Sequence, residues 1–96
     1  MATYIGLFNF TAQGVSNIKD SPKRAEKFKA LVKKAGGKVR ETFWTMGHYD
    51  GVVIFDAPGD EAAAQILLTL GAKGNVKNET LRAFDAKEFA SIVKRM

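Results

Sequence analysis

The stretch Trp44-Thr45-Met46-Gly47-His48-Tyr49-Asp50-Gly51-Val52-Val53 decides the fold, because two apolar runs meet there at a single Gly-His step. This spacing predicts a tight β-hairpin with Gly47 and His48 as the central residues of the turn. Glycine at the first central position suits a type II′ turn, which requires a positive φ. The predicted strands on the two sides are residues 39–46 and 49–56.

The hairpin also predicts which side chains share a face of the sheet. With a two-residue turn, Phe43 lies opposite Val52 on one face, and Trp44 lies opposite Gly51 on the other. Large apolar groups are therefore expected on both faces of this strand pair.

Two further strands and three helices follow from composition and periodicity. Residues 3–10 are rich in aromatic and branched side chains, which predicts a strand. Residues 76–84 follow a turn segment and also predict a strand. Apolar residues recur at i, i+3, i+4 and i+7 in three places, which predicts three amphipathic helices. The three stripes are Phe28, Leu31, Val32 and Ala35; Ala63, Ile66, Leu67 and Leu70; and Phe89, Ile92, Val93 and Met96.

Local signals place the ends of these helices. A short helical piece is expected near residues 15–19, followed by a new start at which Ser21 caps the helix and Pro22 takes the first helical position. Asp85 and Glu88 have the spacing of a capping box at the start of the last helix.

The resulting order is βαββαβ with an extra C-terminal helix. Right-handed crossovers place both main helices on one face of a four-stranded antiparallel sheet, so the predicted fold class is α+β, a ferredoxin-like plait. The 96 residues are expected to form one domain, residues 1–96.

Composition narrows the function classes. The absence of cysteine excludes disulfides and thiolate chemistry, and no apolar run is long enough to span a membrane. We expect a cytoplasmic protein with no membrane partner. The net charge of +5 is concentrated in residues 19–40, which hold nine basic and two acidic side chains. Such a segment could steer an anion, although solvated basic helix faces are common.

Nucleic-acid binding is a weak alternative. RNA-recognition domains share the βαββαβ order and stack bases on aromatic residues of the sheet. The third strand, residues 50–56, lacks their basic-Gly-aromatic pattern, and the lysines cluster on a helix rather than on the sheet.

The first strand is apolar on both faces, which indicates a partner. Tyr4, Phe8 and Phe10 alternate with Ile5 and Leu7 along that strand. Since helices cover only one face of such a sheet, the second face needs another cover, and we expect a second copy of the chain to supply it. The alternative is that the C-terminal helix folds back over this face.

The chain resembles the GYD domain family, whose Gly-x-Tyr-Asp signature matches Gly47, Tyr49 and Asp50. The resemblance extends over nearly the whole length, including the segments 18–22 and 74–84. It implies a ferredoxin-like fold of the dimeric α+β barrel type, in a family whose biochemical role is not established.

A ligand-binding site between sheet and helices is predicted near five residues, and its ligand is expected to be a small apolar or anionic molecule. The five residues are Asn9, Trp44, His48, Tyr49 and Asp50. Three of them also have a structural interpretation: His48 as an exposed turn residue, Asp50 as an acceptor for turn amides, and Tyr49 as a packed ring with a bonded hydroxyl.

An enzyme of the same barrel type remains an alternative. It would resemble the cofactor-free monooxygenases or the haem proteins, with Tyr49, Asp50 or His48 assisting chemistry on an apolar substrate. The sequence predicts no metal site, because a single histidine and scattered carboxylates form no familiar ligand set. We assign no cofactor and no catalytic residue.

Overall fold

A computed structural model describes the whole chain, residues 1–96, and has the predicted order of elements. The elements are β1 (Ala2–Phe10), α1 (Ala12–Ser16), a 3-10 turn (Ile18–Asp20), α2 (Ser21–Lys34), β2 (Lys38–Trp44), β3 (Gly51–Ala57), α3 (Asp60–Ala72), β4 (Val76–Ala83) and α4 (Ala86–Lys94). The four strands form one antiparallel sheet in the order β2-β3-β1-β4. This is the ferredoxin-like plait with an added C-terminal helix, as predicted.

The core lies between one face of the sheet and the helices α2 and α3. Phe55 at the centre of β3 is fully buried, stacks on Tyr4 with ring centroids 5.5 Å apart, and meets the edge of Phe28 at 5.8 Å. Val32 of α2 and Ile66 of α3 complete this layer. The stripes predicted for the two helices therefore face the sheet, except for Ala35, which is exposed and follows the end of α2.

The hairpin has the predicted register but a longer connection. Trp44 pairs with Gly51 and Phe43 pairs with Val52, and Gly47 has a positive φ of 108°. The first strand nevertheless ends earlier and the second begins later than the sequence predicts, which leaves residues 45–50 outside the ladder.

The hydrogen bonds at this end explain the shorter strands. Thr45 N still donates to Asp50 O at 2.8 Å, whereas Asp50 N donates to Phe8 O in β1 at 2.9 Å. The Thr45 hydroxyl donates to Tyr49 O at 2.7 Å. The loop is thus tied to the neighbouring strand and to itself, so a two-residue turn is the wrong description.

The start of α2 also differs from the prediction. Asp20 occupies the N-cap position without a side-chain capping bond, and Ser21 is already helical. Ser21 is buried, and its hydroxyl accepts a hydrogen bond from Trp44 Nε1 at 3.0 Å. Ser21 is not a cap because its hydroxyl has a tertiary partner.

The second face of the sheet has no helix over it. Its centre consists of apolar side chains, which are half-buried by their neighbours in the sheet or more exposed. We call these six residues the open face: Ile5, Leu7, Phe43, Val52, Ile54 and Leu81. Alternation along β1 and β3 places Ile5, Leu7, Val52 and Ile54 opposite to the core side chains, and Phe43 pairs with Val52, as the sequence predicts. Leu81, which the sequence did not single out, joins them by pairing with Ile5.

Helix α4 begins with the predicted capping box, in which Asp85 accepts from Glu88 N and Glu88 accepts from Asp85 N. No residue of α4 is buried, and Phe89 and Val93 on its apolar stripe are 58% and 48% exposed. The radius of gyration of 14.2 Å exceeds the roughly 12.5 Å expected for a compact chain of this length. The helix therefore extends away from the sheet and does not shield it.

Candidate functional site

A cleft of about 210 Å³ opens between α2, the end of α3 and the helix-covered face of the sheet. Its walls are mainly apolar, and six large side chains form most of this lining: Phe8, Phe10, Phe28, Trp44, Val53 and Leu70. Such a composition is typical of small-molecule sites, which join apolar walls to a few polar groups.

Glycine creates part of the space beneath this cleft. A Cβ atom on Gly51 would lie only 2.1 Å from Phe8 Cζ, so the phenyl ring can lie over β3 only because residue 51 has no side chain. Trp44, paired with Gly51 on β2, is held at the opposite wall by its hydrogen bond to Ser21. The shape of the cleft thus depends on the pairing of β2 with β3 and on the hydrogen bond between Trp44 and Ser21.

The polar groups of the cleft include three cations and no carboxylate. Arg24 and Lys27 come from α2, and Lys73 comes from the end of α3. The guanidinium Nη1 of Arg24 donates to Asn17 O at 2.8 Å, but its Nη2 is buried without a hydrogen-bond partner. A buried donor without a partner costs free energy, so the fold would gain stability if an acceptor reached Nη2.

Of the five residues predicted to bind a ligand, the structure places Trp44 in the lining of the cleft and the other four outside it. Asn9 lies between Phe8 and Phe10 on β1 and therefore points to the opposite face of the sheet. His48 lies in the exposed hairpin loop, and its ring meets the Tyr49 ring edge-on at 4.8 Å. The five side chains do not converge on one site.

Asp50 joins the hairpin to the end of β1. Its carboxylate accepts from Phe10 N at 2.8 Å, and its own backbone N–H donates to Phe8 O. The signature aspartate thus fixes both rings that line the cleft, through their backbone rather than by touching a ligand. The sequence also offered a structural role for Asp50, but as an acceptor for turn amides, whereas the amide that it accepts from is at the end of β1.

Tyr49 is hydrogen-bonded on the far side of β1. Its hydroxyl donates to the Glu79 carboxylate at 2.5 Å. That hydrogen bond, then partial burial and the negative charge of Glu79, raise the pKa of Tyr49. The phenol is therefore a weaker acid than a free tyrosine, which is opposite to the change that would make it a nucleophile or a base at neutral pH.

Sequence reasoning did not place Arg24, Lys27 or Lys73 in a site. The available signal is the excess of positive charge in residues 19–40, which is equally typical of a solvated helix face. Lys27 and Lys73 are indeed exposed, but Arg24 is only partly accessible. Periodicity alone does not distinguish a helix position at the edge of a cleft from one in solvent.

The open face is a second candidate surface. Phe43 and Leu81 on it are 51% and 45% exposed, which is unusual for two large apolar groups so close to an apolar sheet centre. At one end it is bordered by Asp56, which accepts from Thr3 Oγ1 at 2.7 Å and from Arg40 Nε at 2.8 Å. An apolar centre with a polar border is typical of a protein interface.

The family model of the GYD domain matches residues 4–93 of this chain. A relative from Thermus thermophilus, named "Glutamine synthetase and cystathionine beta-lyase binding protein", is 27% identical over 95 residues; the alignment covers 98% of this chain and 100% of the relative. None of the helices has the length and apolar character needed to cross a membrane.

Three solved structures share the fold. FFRP-DM1 matches with a TM-score of 0.63 and 19% identity, covering 88% of this chain and all of the other. TTHA0845 from Thermus thermophilus matches at 0.57 and 20% identity, covering 90% and 96% of the two chains. The hypothetical protein PHS023 from Pyrococcus horikoshii matches at 0.57 and 18% identity, covering 88% and 92%. These similarities agree with the ferredoxin-like fold.

Proposed function

The chain belongs to the GYD domain family, and we propose that this member is a non-enzymatic binding protein that acts as a homodimer. The observation that supports the dimer is the open face. It places six large apolar side chains together on a sheet surface that nothing in the chain covers.

Packing two open faces together would bury these groups in a symmetric interface. Full burial of a large apolar side chain is worth about 1.5–3 kcal/mol, and each residue contributes twice in a two-fold dimer. In an isologous interface the apolar centre of one copy packs against the same centre of the other copy, and the polar border remains at the edge of the interface. The second copy is therefore the occupant that fits this surface best.

A binding role is supported by the relative from Thermus thermophilus, whose name describes binding to two enzymes. We assign the partner protein to the stripe of α4, because Phe89 and Val93 stay exposed on a helix whose apolar face would normally be packed. Basic residues at the end of this helix, Lys94 and Arg95, would suit an apolar groove with an acidic rim.

Catalysis has less support from the geometry. His48, Tyr49 and Asp50 are neighbours in sequence, yet Tyr49 and Asp50 are engaged by Glu79 and by the backbone of β1. The raised pKa of Tyr49 gives no activated group. The binding function explains more of the observed surface.

The dimer is tested by light scattering on size-exclusion fractions and by analytical ultracentrifugation. We expect the wild type to be dimeric and Phe43→Glu or Leu81→Glu to raise the dissociation constant at least about 100-fold, since a carboxylate would be buried twice without a partner. The matched control is Leu68→Glu, because Leu68 is 74% exposed on α3, away from the open face. A monomeric wild type, or equal weakening by the control, would exclude this interface.

The partner is tested with purified glutamine synthetase and cystathionine β-lyase from the source organism of this chain. We expect at least one of them to bind the wild type in biolayer interferometry and Phe89→Ser to weaken that binding at least about tenfold while leaving the dimer intact. Binding of neither enzyme would argue against a partner of this kind. Unchanged binding by Phe89→Ser would exclude the stripe of α4.

A further inference from the structure

We propose that the cleft between α2 and the sheet binds a small aromatic carboxylate, with Arg24 as the residue that holds the carboxylate group. This site lies on the helix-covered side of the sheet, so it is separate from the open face and does not depend on dimerisation. Four features of the cleft lead to this ligand class: its unpaired donor, its charge, its aromatic walls and its size.

The unpaired donor is Nη2 of Arg24. Nη1 of the same group is already fixed by Asn17 O at 2.8 Å, so the guanidinium is oriented before any ligand arrives. Nη2 is shielded from solvent and has no partner in the protein. Arg24 lines the cleft, and a guanidinium with an unpaired nitrogen favours an anionic acceptor. A carboxylate is an anion that guanidinium groups bind through charge-assisted hydrogen bonds.

The charge around the cleft has one sign. Lys27 and Lys73 join Arg24 in the lining, and no aspartate or glutamate is among the lining residues. None of these three cations forms an ion pair, since the two ion pairs of the chain are Arg40 with Asp56 and Arg82 with Glu88. A ligand carboxylate would therefore meet uncompensated positive charge.

A neighbouring cleft shows that this arrangement is specific. It lies on the other side of Trp44, has a volume of about 260 Å³ and contains both signs of charge. Glu26 and Glu41 line it together with Lys29 and Arg40. Positive charge on α2 thus meets nearby carboxylates in the second cleft but not in the first.

The walls and the volume limit the rest of the ligand. Phe8, Phe10, Phe28 and Trp44 provide aromatic surfaces. With a volume of about 210 Å³, the cleft suits a small ligand such as one aromatic ring with a short acid arm.

The chain supplies its own probe, because Trp44 is the only tryptophan and lines the cleft. We would titrate ¹⁵N-labelled protein with phenylacetate and follow the indole N–H signal, with tryptophan fluorescence as a second readout. Phenylacetamide has the same shape without the charge, and acetate has the charge without the ring. We expect saturable shifts with phenylacetate at a roughly millimolar or tighter dissociation constant, and at least about tenfold weaker binding of either control ligand.

Substitutions then test which basic residue binds the carboxylate. Arg24→Gln should weaken phenylacetate binding at least about tenfold. Lys73→Gln, which leaves the bond to Asn17 intact, should weaken it by about threefold. The matched control is Lys29→Gln, because it removes the same charge from α2 outside this cleft and should change binding less than about twofold.

Three results would overturn the proposal. They are equal binding of phenylacetate and phenylacetamide, an absence of any saturable shift with phenylacetate, and equal weakening by Arg24→Gln and Lys29→Gln. The first would indicate an apolar cleft without an anion site, and the third would indicate only diffuse attraction to a basic helix. Thermal unfolding of each variant shows whether a loss of binding reflects a loss of fold.

Discussion

The two faces of the sheet are built from similar side chains but have different surroundings. On the covered face, Tyr4, Val53 and Phe55 are at most 5% exposed, because α2 and α3 lie over them. On the open face, Ile54 is only half-buried and Leu81 is 45% exposed. In the central strands β1 and β3 both faces carry large apolar side chains, so the difference there lies in what each face packs against.

Strand β3 shows this contrast within seven residues. Its side chains alternate between buried and half-buried along the whole of Gly51–Ala57, although all but Asp56 are apolar or glycine. An antiparallel strand that has one face in water usually alternates apolar and polar residues. Apolar residues on both sides of β3 are therefore the pattern expected if the proposed dimer covers the open face.

The largest change in the free energy of unfolding is expected for a substitution of Phe55, compared with one of its neighbour Ile54. Phe55→Ala should lower the free energy of unfolding by about 3–5 kcal/mol, because it leaves a cavity against Tyr4 and Phe28. Ile54→Ala should cost about 1 kcal/mol in dilute protein and more as the concentration rises, because its face would be covered only in the proposed dimer. Urea unfolding at two protein concentrations measures both. A concentration-independent loss for Ile54→Ala would contradict the comparison.

The next effect concerns the covered face where it borders the cleft. Gly51→Ala should cost about 1–3 kcal/mol, since the new Cβ would displace the Phe8 ring. The control is Gly71→Ala, where nothing lies within 4 Å of the added Cβ and the helix should gain up to about 1 kcal/mol. Thermal unfolding should shift in opposite directions for the two variants. The same direction for both would show that Phe8 is not held as described.

The smallest effect is at the polar border of the open face. Burial alone would raise the pKa of Asp56, but the hydrogen bonds from Thr3 and Arg40 and the charge of Arg40 lower it below the ordinary value of 3.8. A carboxyl group whose pKa is lowered by folding stabilises the fold above its unfolded pKa. That stabilisation is lost as the pH falls through the lowered pKa.

Asp56→Asn should therefore lower the free energy of unfolding at neutral pH. The loss should be less than about 1 kcal/mol, because the Arg40 side chain is 56% exposed and its charge is screened. The difference between wild type and variant should shrink as the pH falls below 3.8. Urea unfolding across this acid range provides the measurement, and a constant difference would show that the ion pair has no role in stability.

Much of the fold could be predicted from local signals. The helical stripe that contains Phe28 and Val32, the Asp85 capping box and the register around Gly47 each depend on residues close together in the chain. The predicted ends of α2 and of the hairpin strands were wrong, because contacts with residues distant in sequence replaced the local ones. Ser21 accepts from Trp44 instead of capping α2, and Asp50 bonds to β1 instead of extending β3.

The candidate site was less predictable for the same reason. The signature residues Tyr49 and Asp50 suggested a site beside the hairpin, but their side chains bond to Glu79 and to Phe10 N. Arg24 was hidden among other basic residues of α2, because a pattern of charges does not show which one faces the sheet. Ligand binding by Trp44 stays a prediction, and we now propose that Arg24 binds the same ligand.

The sequence by itself determined the order of the elements, the hairpin register and the apolar character of both sheet faces. These properties depend on spacing between neighbours, such as the alternation of Tyr4 with Ile5 along β1. Only the tertiary structure decided that α4 leaves the open face uncovered and that Arg24, which lines the same cleft as Trp44, has an unpaired donor. Those facts depend on distances between residues far apart in the chain, and no local periodicity encodes such distances.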